Sequence, residues 1–159
     1  MAKPLPDYKS DNPMPYGKPW GQMSSKNTNY YRDRPETGKT RYYDWTVSKT
    51  TASPDGVEVP MLLVNEQYPG PAIEANWGDW IEVKLYNNIS DEGTGIHWHG
   101  NLQQETPYMD GVPGVTQCPI APGSSFTYRF RADLYGTSWW HSHYEGIYLH
   151  LRFADVNVC

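Results

Sequence analysis

Cysteine is scarce in this chain: 2 among 159 residues, Cys118 and Cys159, too few for a disulfide scaffold and not spaced as a metal-binding pair. Basic charge is also short. Thirteen Lys and Arg against 18 Asp and Glu leave a formal charge of −5, which provides no electrostatic footprint for phosphate backbones or anionic lipid, so no nucleic acid is expected as a partner. No apolar run approaches the roughly 20 residues of a membrane-spanning helix, and mean hydropathy is −0.75, so no membrane contact is expected either. The start, MAKPLPDYKSDN, has no apolar core of the kind a signal peptide carries. No internal repeat is evident, and the length suits one domain, with two large domains excluded.

What is abundant is aromatic and turn-forming: 7 Trp and 13 Tyr beside 14 Gly and 14 Pro, a mixture that fits short strands joined by tight turns. Residues 1–38 hold Pro4, Pro6, Pro13, Pro15, Pro19 and Pro35 among polar residues without periodicity, which predicts an irregular arm, disordered or laid over the surface. From Thr40 the pattern changes. Tyr43, Trp45 and Val47 alternate with polar residues, as do Ile81, Val83 and Leu85, then Phe126, Tyr128 and Phe130, each with the period of a half-buried strand. Val57 to Val64, Gly95 to Leu102 and Ser138 to Tyr144 complete about six strands with turn signals between them. No helical segment is expected, and the pattern predicts an antiparallel β-sandwich or small barrel. Asn88-Ile89-Ser90 is a glycosylation sequon on a turn, relevant in a secretory pathway.

Four of the five histidines form two identical patterns, His97-Trp98-His99 and His141-Ser142-His143. On a strand, residues i and i+2 share a face about 6.6 Å apart, so each pair projects two imidazoles side by side. If the two strands are adjacent, four neutral nitrogen ligands surround one small volume. Imidazole suits Zn, Cu, Fe and Ni, and a catalytic zinc site needs three protein ligands plus water. A cupin-type iron site would want a Glu soon after one such pair, whereas Glu105 stands six positions beyond His99. His150 lies outside both pairs and reads as a surface residue.

At these residues the chain closely resembles the amino-terminal cupredoxin domain of fungal laccases, within the multicopper oxidases. The resemblance rests on VNEQYPGPAIEANWGDWIEV (Val64 to Val83), GIHWHG (Gly95 to Gly100), MDGVPGVTQCPIAPGSSFTYRFRA (Met109 to Ala132) and YGTSWWHSHY (Tyr135 to Tyr144). It implies an all-β fold, a Greek-key plastocyanin-like β-sandwich, with copper as the metal. His97 matches a ligand of the type 2 copper, and His99, His141 and His143 match ligands of the type 3 pair. Asp110 matches an acidic residue that helps deliver protons to the dioxygen-reducing cluster, and Cys118 a cysteine that pairs with the third domain. In the full-length family, oxidation of phenols or aromatic amines is coupled to reduction of dioxygen to water, and the resemblance implies a secreted protein.

The chain also departs from that pattern. It supplies four of the family's eight cluster histidines, and neither cysteine is flanked by histidine, so no type 1 copper is expected here. The resemblance runs from about Pro19 to Gly146, and with the composition it divides the chain into an irregular arm (1–38), a plastocyanin-like domain (39–146) and a tail (147–159) unlike the family, as a frameshift or unspliced intron would leave. The sandwich is then expected to lack its last strand or strands, with an open edge and marginal stability. Two functions follow: the copper-binding first domain of a laccase-like oxidase, or a non-catalytic copper-binding fragment, inactive alone. A mononuclear zinc site is a remote third.

Overall fold

A computed structural model of the chain describes residues 9, 11, 17–24, 26–29, 31–53, 55–144 and 154–158. These residues form eight strands: β1 Thr40–Ala52, β2 Val59–Val64, β3 Ile73–Ala75, β4 Trp80–Asn87, β5 Ile96–His99, β6 Ser125–Arg131, β7 Gly136–Ser142 and β8 Ala154–Val158. They make two four-stranded sheets, ordered β2-β1-β4-β6 and β3-β8-β7-β5. The alternation read from the sequence sets the inward faces. Ile81, Val83 and Leu85 of β4 are fully buried, as are Tyr128 and Phe130 of β6, while Lys84 and Tyr86 face solvent. Between the sheets Trp45 of β1 reaches Trp98 of β5 and Trp140 of β7, with ring centroids 5.9 and 4.7 Å apart; such aromatic pairs add about 0.5–1.5 kcal/mol each beyond area burial.

Three expectations are corrected. The sandwich is mixed, not antiparallel: β1 pairs with β4, and β3 with β8, in parallel. The cause is connectivity. After the β1–β2 pairing the chain crosses to the other sheet for β3 before returning as β4 on the free side of β1, and such a crossover permits parallel pairing where a hairpin cannot. Second, one turn of 3-10 helix, Pro107–Met109, interrupts the otherwise helix-free described residues; a proline at its start has no N–H to leave unsatisfied.

Third, the second sheet does not end at β7. Ala154–Val158 inserts between β3 and β7, antiparallel to β7 from Gly136↔Val158 to Trp140↔Ala154. Val156 and Val158 are buried in the common core, because alternation with Asn157 turns both valines inward. This part of the stretch expected as a tail is therefore a central strand, and the open edge anticipated at β7 is covered. His150 and Cys159 lie outside the described residues.

The described part of the arm contains no strand or helix and docks on the sandwich. Trp20 and Met23 pack against the core. Pro35 covers Gly78, where a Cβ would collide with the Pro35 carbonyl. Arg34 pairs with buried Asp133 at 3.2 Å, and Glu36 with Arg131. Beneath them Asp79, fully buried, accepts hydrogen bonds from Thr37 Oγ1 (2.6 Å), Arg41 Nε (2.6 Å) and the Asn76 amide (3.0 Å). Among the described residues no helix is long and apolar enough to cross a membrane.

Candidate metal centre

The two histidine pairs lie on neighbouring strands. β5 and β7 run antiparallel with His97 opposite His141, Trp98 opposite Trp140 and His99 opposite Trp139. The pleat then sorts the side chains. Trp98 and Trp140, both 0% exposed, enter the core, and the imidazoles emerge on the outer face of the second sheet. His97 sits 5.5 Å from His99, 5.2 Å from His141 and 5.6 Å from His143, centroid to centroid. One nitrogen from each of His97, His99 and His141 lies within 4.8 Å of the other two. His143 follows the last residue of β7, its amide donating to the Gly95 carbonyl at 3.2 Å. Its ring borders the cluster 5.8 Å from His141, outside that group of three nitrogens.

Hydrogen bonds assign the ring nitrogens. Nδ1 of His97 donates to the Asp110 carbonyl at 2.8 Å, and Nδ1 of His141 to the Ser142 carbonyl at 2.8 Å, which leaves Nε2 of each ring with its lone pair. Nδ1 of His99 faces Nε2 of His141 at 3.3 Å. Burial pushes the His141 pKa below its ordinary value, reinforced by the neighbouring His97, His99 and His143 and opposed by the Ser142 carbonyl. The neutral, metal-binding form is thereby favoured. Trp139 stacks on His99 and on His141, at 4.3 Å from each, and limits how those rings turn.

Asp110, at the end of the 3-10 turn, meets the site twice: its carbonyl accepts from His97, and its carboxylate lies 3.3 Å from the same Nδ1. Sequence reading identified Asp110 by its carboxylate and missed the carbonyl, a group every residue has. The signal was available in Gly111, whose φ of +83° is a left-handed value and where a Cβ would fall on the Ile96 carbonyl. Only glycine lets the loop approach β5 this closely. Cys118 is exposed and unpaired.

An imidazole-only donor set of this kind fits a borderline metal such as copper or zinc and offers nothing to a hard cation that prefers oxygen. The fold and the histidine face define a cupredoxin-like domain of the kind built into multicopper oxidases. The multicopper oxidase profile matches residues 46–152, and the chain belongs to that family. Laccase-2 of Botryotinia fuckeliana is 48% identical over 136 residues, covering 86% of this chain and 22% of the relative. An oxidoreductase of Beauveria bassiana is 54% identical over 126 residues, 79% of this chain and 21% of its own length. The crystal structure of the laccase from Botrytis aclada superposes with a TM-score of 0.82 at 44% identity, covering 88% of this chain and 26% of that one. The resemblance to fungal laccases is borne out, and the chain spans about a fifth of the curated relatives it matches.

Proposed function

We propose that this chain is the copper-binding first domain of a laccase-like oxidase, carrying half the ligands of a copper cluster, with the domain starting near residue 39 and including β8. The observation that carries this reading is the convergence of three imidazole nitrogens within 4.8 Å across the His97↔His141 register. In this proposal His97, through Nε2, serves the type 2 copper, while His99, His141 and His143 serve the type 3 pair. Copper bound there would supply one-electron redox chemistry between a phenolic or aromatic amine substrate and dioxygen. Asp110 holds the Nδ1 proton of His97 on its carbonyl, fixing which nitrogen faces the metal, and its half-buried carboxylate is placed to hold a proton beside the ring. The stacked Trp139 keeps the His99 and His141 rings in orientation. Cys118, exposed, is free to pair with a further domain.

A second reading, a copper-binding chain without turnover of its own, is favoured by one observation: neither cysteine is flanked by histidine, so the chain has no thiolate and imidazole set for accepting electrons from a phenol. Copper content and oxygen uptake with a phenolic substrate are measured on the purified chain alone and on the chain combined with a polypeptide carrying the remaining length of a laccase relative. Copper bound through histidine, with turnover in the combination, supports the first reading; copper without turnover in either supports the second. Retention of zinc in preference to copper, or no metal at all, refutes both.

A further inference from the structure

The loop that delivers Asp110 to His97 passes through a strained stretch of backbone. Gln103 and Glu105 have φ of +51° and +64°, left-handed values that are sterically costly for residues with a side chain and persist only where surrounding contacts over-determine them. Gln103 is buried, and its Oε1 accepts from Thr106 Oγ1 at 3.0 Å. Glu105 is exposed, and its anchor comes from the amino-terminal arm. Arg34 Nη2 donates to Glu105 Oε2 at 2.7 Å, while Nη1 donates to Gln104 Oε1 at 2.9 Å and to Asp133 Oδ1 at 3.2 Å. Asp133, 2% exposed, accepts the Gln104 amide on its other oxygen at 3.2 Å, so arm and loop share one buried carboxylate. The arm is pinned on both sides of Arg34: the Tyr31 carbonyl accepts from Gln104 Nε2, and Glu36 pairs with Arg131. From this clamp to the histidines the loop is a run of closed turns. The Thr106 amide donates to the Gln103 carbonyl at 3.0 Å, Met109 to Thr106 at 2.9 Å and Asp110 to Pro107 at 3.3 Å. A shift at Glu105 is therefore carried to the Asp110 carbonyl, which holds the Nδ1 proton of His97 at 2.8 Å.

We propose that Arg34 is a positioning residue for the metal face: through its guanidinium the arm holds the turn from Gln103 to Glu105, and so sets which ring nitrogen His97 offers. The planar fork of arginine is what the task needs, since three acceptors on two segments are held by one rigid group. The effect on the His97 tautomer is independent of any metal, and the effect on copper rests on the copper-binding function proposed for the chain.

The test reads the imidazole nitrogens of the full, metal-free chain by heteronuclear NMR, at a pH where histidine is neutral. Native His97 is expected as a single tautomer protonated on Nδ1. Arg34→Ala should convert it to a mixture of both tautomers, and copper affinity should fall about tenfold, the lower end of the roughly 10–100-fold lost with a group that orients a ligand. Arg34→Lys keeps a charge on buried Asp133 but cannot reach Gln104 and Glu105 as well. It covers an alanine variant that does not fold, and should show the same mixture. Glu36→Gln loosens the arm's other ion pair and should leave the His97 nitrogens as in the native chain, which separates positioning from a general loss of stability. A single Nδ1-protonated tautomer in Arg34→Lys overturns the proposal, as does an equal mixture in Glu36→Gln. Because the tautomer is read without metal, a native chain that fails to take up copper sinks the copper reading alone, and the role of Arg34 is still decided by the NMR result.

Discussion

Trp98 and His99 are neighbours in sequence with opposite duties, so substitution at each should move a different observable. Trp98 is 0% exposed and packs against Trp45, Tyr128 and Phe130 at centroid distances of 5.9, 5.2 and 4.9 Å. Trp98→Ala removes a full indole from that contact set, a change that costs about 3–5 kcal/mol in a core, out of roughly 5–15 kcal/mol for a whole domain. At about 2–4 °C per kcal/mol for a chain of this size, the melting temperature falls by roughly 6–20 °C. His99 projects from the outer face and is exposed. Surface replacements of that kind stay within about 0.5 kcal/mol, so His99→Ala shifts melting by no more than about 2 °C. It removes one of the three clustered nitrogens, and the copper affinity falls by more than the roughly 10–100-fold typical of losing a partner outside the ligand set.

The assay pairs thermal unfolding followed by circular dichroism with copper titration at 10 °C, where a destabilised variant remains folded. Trp98→Phe, which keeps a ring in the core, covers the case in which the alanine variant does not fold. A drop below about 3 °C for Trp98→Ala, or a loss of stability for His99→Ala equal to that of the tryptophan variant, refutes the assignment of the two residues to opposite faces of β5.

Three further outcomes are expected. Gly111→Ala forces a side chain into the Ile96 carbonyl at a φ of +83° and should lower unfolding free energy by about 1–3 kcal/mol in urea, with weaker copper binding because Asp110 is levered off His97; unchanged stability contradicts the close approach. Val156→Asp places an unpaired charge in the core beside β7 and should cost about 3–5 kcal/mol, whereas a neutral result in the same urea titration removes β8 from the sheet. Native His141 resists protonation because it is buried, so its folded pKa lies below the ordinary 6.5. As pH falls from 6.5 toward the folded value the unfolded chain takes up the proton first, and the metal-free protein loses stability across that window. His141→Gln should flatten that part of the pH profile, and a native profile that gains stability on acidification through this range overturns the sign.

The parts of this protein that were legible in its sequence are those governed by a period of two. Alternation at Tyr43 to Val47, Ile81 to Leu85 and Phe126 to Phe130 reports strands with one buried face, and the same rule places His97 with His99 and His141 with His143. Register between strands is a different matter. That His97 stands opposite His141 is decided by contacts more than forty residues apart, by Trp98 and Trp140 meeting Trp45 across the core, and no local pattern encodes it. β3, with three residues, is too short to show alternation, and β8 shows only Val156 and Val158, beyond the residues 46–152 that the family profile matches. Parallel pairing of β1 with β4 follows from where the chain crosses, not from what either strand contains.

The same division applies at the metal face. Side-chain ligands announce themselves by residue type, but the group that fixes the His97 tautomer is the carbonyl of Asp110. Its only trace in the sequence is the glycine that follows. A glycine next to a residue of interest reads first as a turn, and here the turn and the tautomer are one device: without a Cβ at Gly111 the loop reaches β5, and by reaching it the Asp110 carbonyl takes the Nδ1 proton of His97 and leaves Nε2 as the nitrogen with a lone pair.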